Sequence, residues 1–158
     1  IEPRTHQDLD ALATIEADSL VRRYIDNKTM TRQQVADYID AMLRSYEENG
    51  YGRFAVKTKA DGALIGICGF IDEDYGIDFG YRYARSSWGQ GLATEAGAAI
   101  MDYGERILRI STLVGLVMPE NKASANVLTK LGFSLDKPLT YMGIPAIKYL
   151  KNNQLLDI

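Results

Sequence analysis

Apolar positions recur with helical spacing through the first third of the chain. Leu9, Leu12 and Ile15 make a short stripe behind two capping residues, Thr5 and Asp8, and predict a helix to about Asp18. A longer stripe of Val35, Tyr38, Ile39, Met42, Leu43 and Tyr46 follows Thr31. Thr31 and Gln34 have capping-box spacing, and Gly50 ends the pattern. After Gly52 the period drops to two. Segments 53–58 and 64–70 read as strands joined by a turn at Asp61-Gly62. Ile77, Phe79, Tyr81 and Tyr83 alternate with Asp78, Gly80 and Arg82, which predicts a third strand with one apolar face. A glycine-rich turn at 88–91 then leads into a helix over about 92–106. A strand at 110–118, a helix at 122–131 stopped by Gly132, and a strand near 144–150 complete the reading.

The order is two helices and three antiparallel strands, the third of which opens a strand, helix, strand, helix, strand series. A strand–helix–strand crossover makes its two strands parallel. The predicted class is therefore α/β in the mixed α+β sense, a mixed sheet with helices on its faces. No repeat, linker or low-complexity segment interrupts the 158 residues, so 1–158 is expected to form one domain.

Composition narrows the function more than the fold. A net charge of −3 with no basic cluster argues against a nucleic-acid partner. The apolar runs are too short to span a membrane. One cysteine and one histidine allow neither an internal disulfide nor a Cys/His zinc site, so no metal is expected and a reducing cytoplasm is. The chain starts at Ile1 without a methionine, which leaves room for residues ahead of it and for an export signal.

Chemistry concentrates in Arg85-Ser86-Ser87-Trp88-Gly89-Gln90-Gly91-Leu92-Ala93-Thr94-Glu95, between a strand and a helix. Backbone N–H groups and the helix dipole favour an anion there, and Gly89, Gly91 and Ala93 keep side chains out of its way. The loop suits a pyrophosphate, although a short Gly-x-Gly also serves as a plain tight turn. Thr94 stands where a dinucleotide fingerprint needs its third glycine, and no Gly-Lys-Ser/Thr of a Walker loop follows.

A second segment, Pro119-Glu120-Asn121-Lys122-Ala123-Ser124-Ala125-Asn126-Val127-Leu128-Thr129-Lys130-Leu131-Gly132-Phe133, follows the next strand. Together the two resemble motifs A and B of the GNAT superfamily of N-acetyltransferases. With Gly66-Ile67-Cys68-Gly69-Phe70 and Asp78-Phe79-Gly80-Tyr81 they resemble more narrowly the branch of Rim-type ribosomal-protein N-terminal acetyltransferases. The resemblance spans roughly residues 50–133. It implies a GNAT fold: a mostly antiparallel sheet of about six or seven strands, a splayed parallel central pair, and helices on both faces.

It also implies acetyl-CoA as co-substrate. Tyr81, Arg82 and Tyr83 would lie beside the pantetheine, which adds to the strand edge as a β-strand would. Trp88, Gly89, Gln90, Gly91, Leu92, Ala93 and Thr94 would surround the pyrophosphate. Many relatives protonate the departing thiolate with a tyrosine two residues before the motif B lysine; here that position is Leu128. Ser124 is then the candidate acid, and Asn121 would orient the cofactor or fix the loop; both also stand where helix caps belong. Asp78 is the candidate base, against the alternative of a solvated strand-face carboxylate. Asp72, Glu73 and Asp74 would draw a cationic amine or form a solvated turn. Cys68 reads as a buried strand residue, Glu95 as a dipole partner, and His6 has no evident partner.

The function expected is direct acetyl transfer to a primary amine, a protein N-terminus or a small molecule. The alternative is a non-catalytic acyl-CoA-binding sensor. A homodimer is the arrangement common among similar proteins.

Overall fold

The computed structural model describes residues 1–155. A 3₁₀ turn at His6–Asp8 carries the Thr5/Asp8 capping box and leads into α1 (Leu9–Glu16), followed by a four-residue α2 (Ser19–Arg22). The predicted first helix therefore stops two residues early, and Asp18 instead caps α2 by accepting from the Leu20 N–H. Helix α3 (Arg32–Asn49) has the Thr31/Gln34 capping box at its start and a left-handed Gly50 at its end, φ +78°. Three antiparallel strands follow: β1 (Arg53–Lys57), β2 (Leu64–Glu73) and β3 (Gly76–Tyr83). Next come α4 (Leu92–Arg106), β4 (Thr112–Val117) and α5 (Lys122–Lys130). The described residues end in a hairpin of β5 (Ser134–Tyr141) and β6 (Ile144–Asn152).

The six strands form one mixed sheet in the order β1-β2-β3-β4-β6-β5, and only the β3–β4 pair is parallel. Strand alternation gives each face its own helices. On one face Ile67 joins Leu12 of α1 and Val35 and Ile39 of α3 in a small core. On the other, Cys68, Phe70, Phe79 and Leu113 meet Ile100 of α4 and Leu128 of α5 in the larger core. Helix α4 lies close because Gly104 faces the Phe70 ring, where a Cβ would sit 2.7 Å from Cζ. Among the described residues no helix is long and apolar enough to cross a membrane.

Candidate active site

The parallel pair touches at one register position, Asp78 opposite Val114. Beyond it β3 stays paired with β2 as far as Tyr83 opposite Gly66, while β4 pairs with β6. The edge of β3 that faces β4 is therefore unpaired after Asp78. Ala84 donates its N–H to the Ile65 carbonyl at 2.9 Å. Antiparallel alternation then turns the backbone of Arg82 and Gly80 toward β2, and that of Tyr81 and Tyr83 toward the gap. The Trp88 indole N–H donates to the Tyr83 carbonyl at 2.8 Å, in keeping with a carbonyl turned to the gap.

At the end of β3 a 3₁₀ turn (Arg85–Ser87) delivers the chain to Trp88. Gly89 (φ +71°) and Gly91 (φ +75°) both take left-handed conformations that favour glycine. A Cβ at either would meet no atom within 4 Å, so the loop is open above both. Gly91 is the N-cap of α4 and supplies no side-chain acceptor, so no cap occupies the first-turn N–H groups of a 15-residue helix. Gln90 is tied back to the Ser86 carbonyl at 2.9 Å, and Leu92, Ala93 and Thr94 are half-buried in the first turn. Backbone donors, open space and the positive helix end thus coincide at one place.

The second motif opens α5. Asn121 caps it, accepting from the Ser124 N–H at 3.2 Å. The Ser124 hydroxyl lies 2.9 Å from the Tyr81 hydroxyl, joining the first turn of α5 to β3. Burial pushes the Tyr81 phenol up to about 12, against the hydrogen bond with Ser124, so it remains a donor at neutral pH. Leu128 is 2% exposed and packs over Gly115, so that position offers no hydroxyl. A tyrosine thus reaches the motif from β3 rather than from α5.

Asp78, Gly80 and Arg82 face the α1–α3 side, as alternation predicts. Asp78 is buried and its carboxylate pairs with Arg53 Nη2. Arg53 Nη1 donates to the Gly69 carbonyl at 2.6 Å and the Asp78 carbonyl at 2.9 Å, and Gly80 leaves the guanidinium its room. Burial raises the Asp78 carboxyl above its ordinary range, against the pull of Arg53 and of a hydrogen bond from Tyr75. The Arg82 side chain points away from Tyr81 and Tyr83 and donates to Glu16 at 3.0 Å. Of the acidic turn, Asp72 accepts from the Tyr51 hydroxyl at 2.6 Å and Glu73 from the Tyr141 hydroxyl at 3.1 Å. Cys68 is fully buried, and burial pushes its thiol up to about 12. Glu95 is exposed in the first turn of α4. His6, which sequence left unpartnered, meets Asp40 at 2.7 Å.

Between the segment after α2 and the C-terminal end of β4 lies a groove of about 470 Å³. Tyr24, Asp26 and Asn27 line one side, and Met118, Glu120 and Ile144 the other. Sequence reasoning also missed the buried charges Arg4, Glu16, Arg22 and Arg53. One signal was present: Glu16 falls four residues after Leu12, on the inward stripe of α1.

Several known proteins resemble the chain. An uncharacterized N-acetyltransferase p20 of Bacillus licheniformis is 33% identical over 131 residues, covering 80% of this chain and 74% of the relative. The spermidine N(1)-acetyltransferase of Escherichia coli K12 is 26% identical over 145 residues, 89% of this chain and 75% of the relative. In fold, the chain superposes on the spermidine N-acetyltransferase of Vibrio cholerae, solved with CoA and spermine, with a TM-score of 0.80. That alignment covers 96% of this chain and 94% of the other at 17% identity. The profile described as acetyltransferase (GNAT) domain matches residues 1–134. The uncapped loop before α4, the splayed strands above it and these relatives agree: the chain belongs to the GNAT family of acetyltransferases.

Proposed function

We propose that the chain binds acetyl-CoA along the gap between β3 and β4 and transfers its acetyl group directly to a primary amine seated in the groove. The supporting observation is the single meeting point of the parallel pair at Asp78 and Val114, with the open loop of Gly89 and Gly91 at the end of the unpaired edge. Acetyl-CoA supplies the acyl group as a thioester. The N–H groups of the Gly91 loop and the start of α4 hold its pyrophosphate, with Trp88 and Gln90 fixing the loop. Backbone groups of Tyr81 and Tyr83 hold the pantetheine, and Arg82 between them anchors the strand to Glu16 on the opposite face instead of touching the cofactor.

In the reaction a C–N bond forms and the C–S bond breaks, one proton leaves the nitrogen, and one reaches the sulfur. The Tyr81–Ser124 pair donates the second proton: its two hydroxyls share one hydrogen bond, and the phenol keeps its proton at neutral pH. Asn121 sets the orientation of Ser124 by capping α5. Asp78 is the candidate acceptor of the first proton through water, because burial raises its affinity for protons even beside Arg53. A groove of about 470 Å³ suits a small-molecule amine or the end of a peptide. The narrower likeness to the Rim-type branch favours a protein N-terminus.

Thiol release from acetyl-CoA, assayed with spermidine, kanamycin and short peptides, tests the reading. Amine-dependent release supports it. Binding of acetyl-CoA without turnover of any amine supports the sensor alternative.

A further inference from the structure

Glu16 carries a buried carboxylate that the chemistry above leaves unused. It ends α1 and is 2% exposed. Its Oε2 accepts from Arg22 Nη1 at 2.7 Å, and its Oε1 accepts from Arg82 Nη1 at 3.0 Å. The two arginines belong to different parts of the site. Arg82 neighbours Tyr81 on β3, the strand assigned to the cofactor. Arg22 closes α2 and organises the segment after it.

Residues 23–30 contain neither helix nor strand, so their shape comes from elsewhere. Arg22 supplies much of it. Its Nε donates to the Lys28 carbonyl at 2.8 Å, and its Nη2 donates to the Asp26 carboxylate at 2.8 Å. The Met30 N–H returns to the Glu16 carbonyl at 3.0 Å. Tyr24, Asp26 and Asn27 of this segment wall the groove. One carboxylate therefore holds both the strand beside the proposed cofactor and the loop beside the proposed acceptor. Buried as it is, Glu16 cannot exchange either arginine for water without loss, and the rigid guanidinium forks tie the two geometries together.

We infer that Glu16 is a positioning residue that couples the two halves of the site. Acetyl-CoA on the backbone of Tyr81 and Tyr83 fixes the stretch of β3 that carries Arg82 between them, and through Glu16 and Arg22 this orders residues 23–30 for the amine. The inference rests on the assignment of that edge to acetyl-CoA.

Hydrogen exchange of the full chain with and without acetyl-CoA tests it, in the wild type, Glu16→Gln and Arg82→Met. Acetyl-CoA should slow exchange at 89–94 in every folded variant. It should slow exchange at 23–30 about fivefold or more in the wild type alone. Arg82→Met keeps the Glu16–Arg22 pair, so its exchange at 23–30 without ligand should match the wild type, and it decides the matter even if Glu16→Gln fails to fold. Equal protection of 23–30 by acetyl-CoA in the wild type and Arg82→Met overturns the coupling. Protection confined to 89–94 in the wild type overturns it too. No protection at 89–94 in the wild type removes the cofactor assignment itself, and the coupling with it.

Discussion

The Tyr81 and Ser124 hydroxyls lie 2.9 Å apart although 43 residues separate them in the chain. Tyr81 comes from the strand whose free edge faces the gap, and Ser124 from the first turn of the helix beyond it. A proton donor assembled this way needs both hydroxyls but little of the binding energy. Tyr81→Phe should lower kcat about 100-fold while the KM for acetyl-CoA changes little, since the interaction strengthens in the transition state. Ser124→Ala should fall in the same direction, and the double variant should lose little more than Tyr81→Phe alone. Steady-state thiol release reads all three. Undiminished kcat in Tyr81→Phe would eliminate the pair as the acid.

The loop before α4 makes a separate prediction. Nothing lies within 4 Å of a Cβ at Gly91, so Gly91→Val has no core to disturb, but its φ of +75° strains a branched side chain. The variant should fold, with unchanged far-UV circular dichroism, and bind acetyl-CoA at least about tenfold more weakly. Trp88 is the sole tryptophan and sits on the same loop, so its emission should follow the titration directly. Equal affinity in the variant would move the pyrophosphate elsewhere.

Much of this fold was legible because its signals were local. Helix α4 begins at Leu92 and α3 at Arg32, where the glycine turn and the capping box announce them. Strand β5 was missed. It is an edge strand exposed along most of its length and interrupted by Pro138 and Lys137, so no buried face imprints a period of two. Helix α2 is one turn long, too short for a stripe to repeat. The motifs named Ser124 and Tyr81 separately, but their contact depends on how β3 and α5 pack. Likewise nothing local pairs Arg53 with Asp78 or Glu16 with Arg82, because each partner comes from a distant element.

The Arg53–Asp78 pair predicts a cost in stability beside any catalytic one. Both side chains are about nine-tenths buried, and Asp78→Asn would leave Arg53 charged without its counter-ion. Removing one partner of such a pair costs about 3–5 kcal/mol. Urea unfolding should show a loss of that order, and an unchanged midpoint would mean that water already reaches Arg53. If Asp78 also accepts the amine proton, turnover of the folded variant should suffer most at low pH, where few amines are free. A loss of equal size at every pH would assign Asp78 to structure alone.

Alkaline pH should weaken the fold, and the direction follows from the protons that burial retains. Cys68 and Tyr81 are both pushed up to about 12, from ordinary values of 9.0 and 10.0. Burial likewise raises the phenols of Tyr51, Tyr75 and Tyr83. Between pH 9.0 and about 12 the folded state therefore holds protons at these groups that the unfolded chain has released. Stability falls with pH wherever the native state binds more protons, so their contribution is complete below pH 9.0 and is lost as pH rises toward about 12. Tyr38 works the other way: three arginines lower its phenol despite its burial, but it is one group against those five and against Tyr46 and Tyr141, which burial also raises. Urea midpoints should hold below about pH 9 and drop from there to about pH 11, within the span in which these groups separate. In the same series the Cys68 thiol should stay inert to an aromatic disulfide at pH 8 and react once urea unfolds the chain. A midpoint that rises with pH, or a thiol that reacts promptly in the native protein, would show that water reaches the larger core around Cys68.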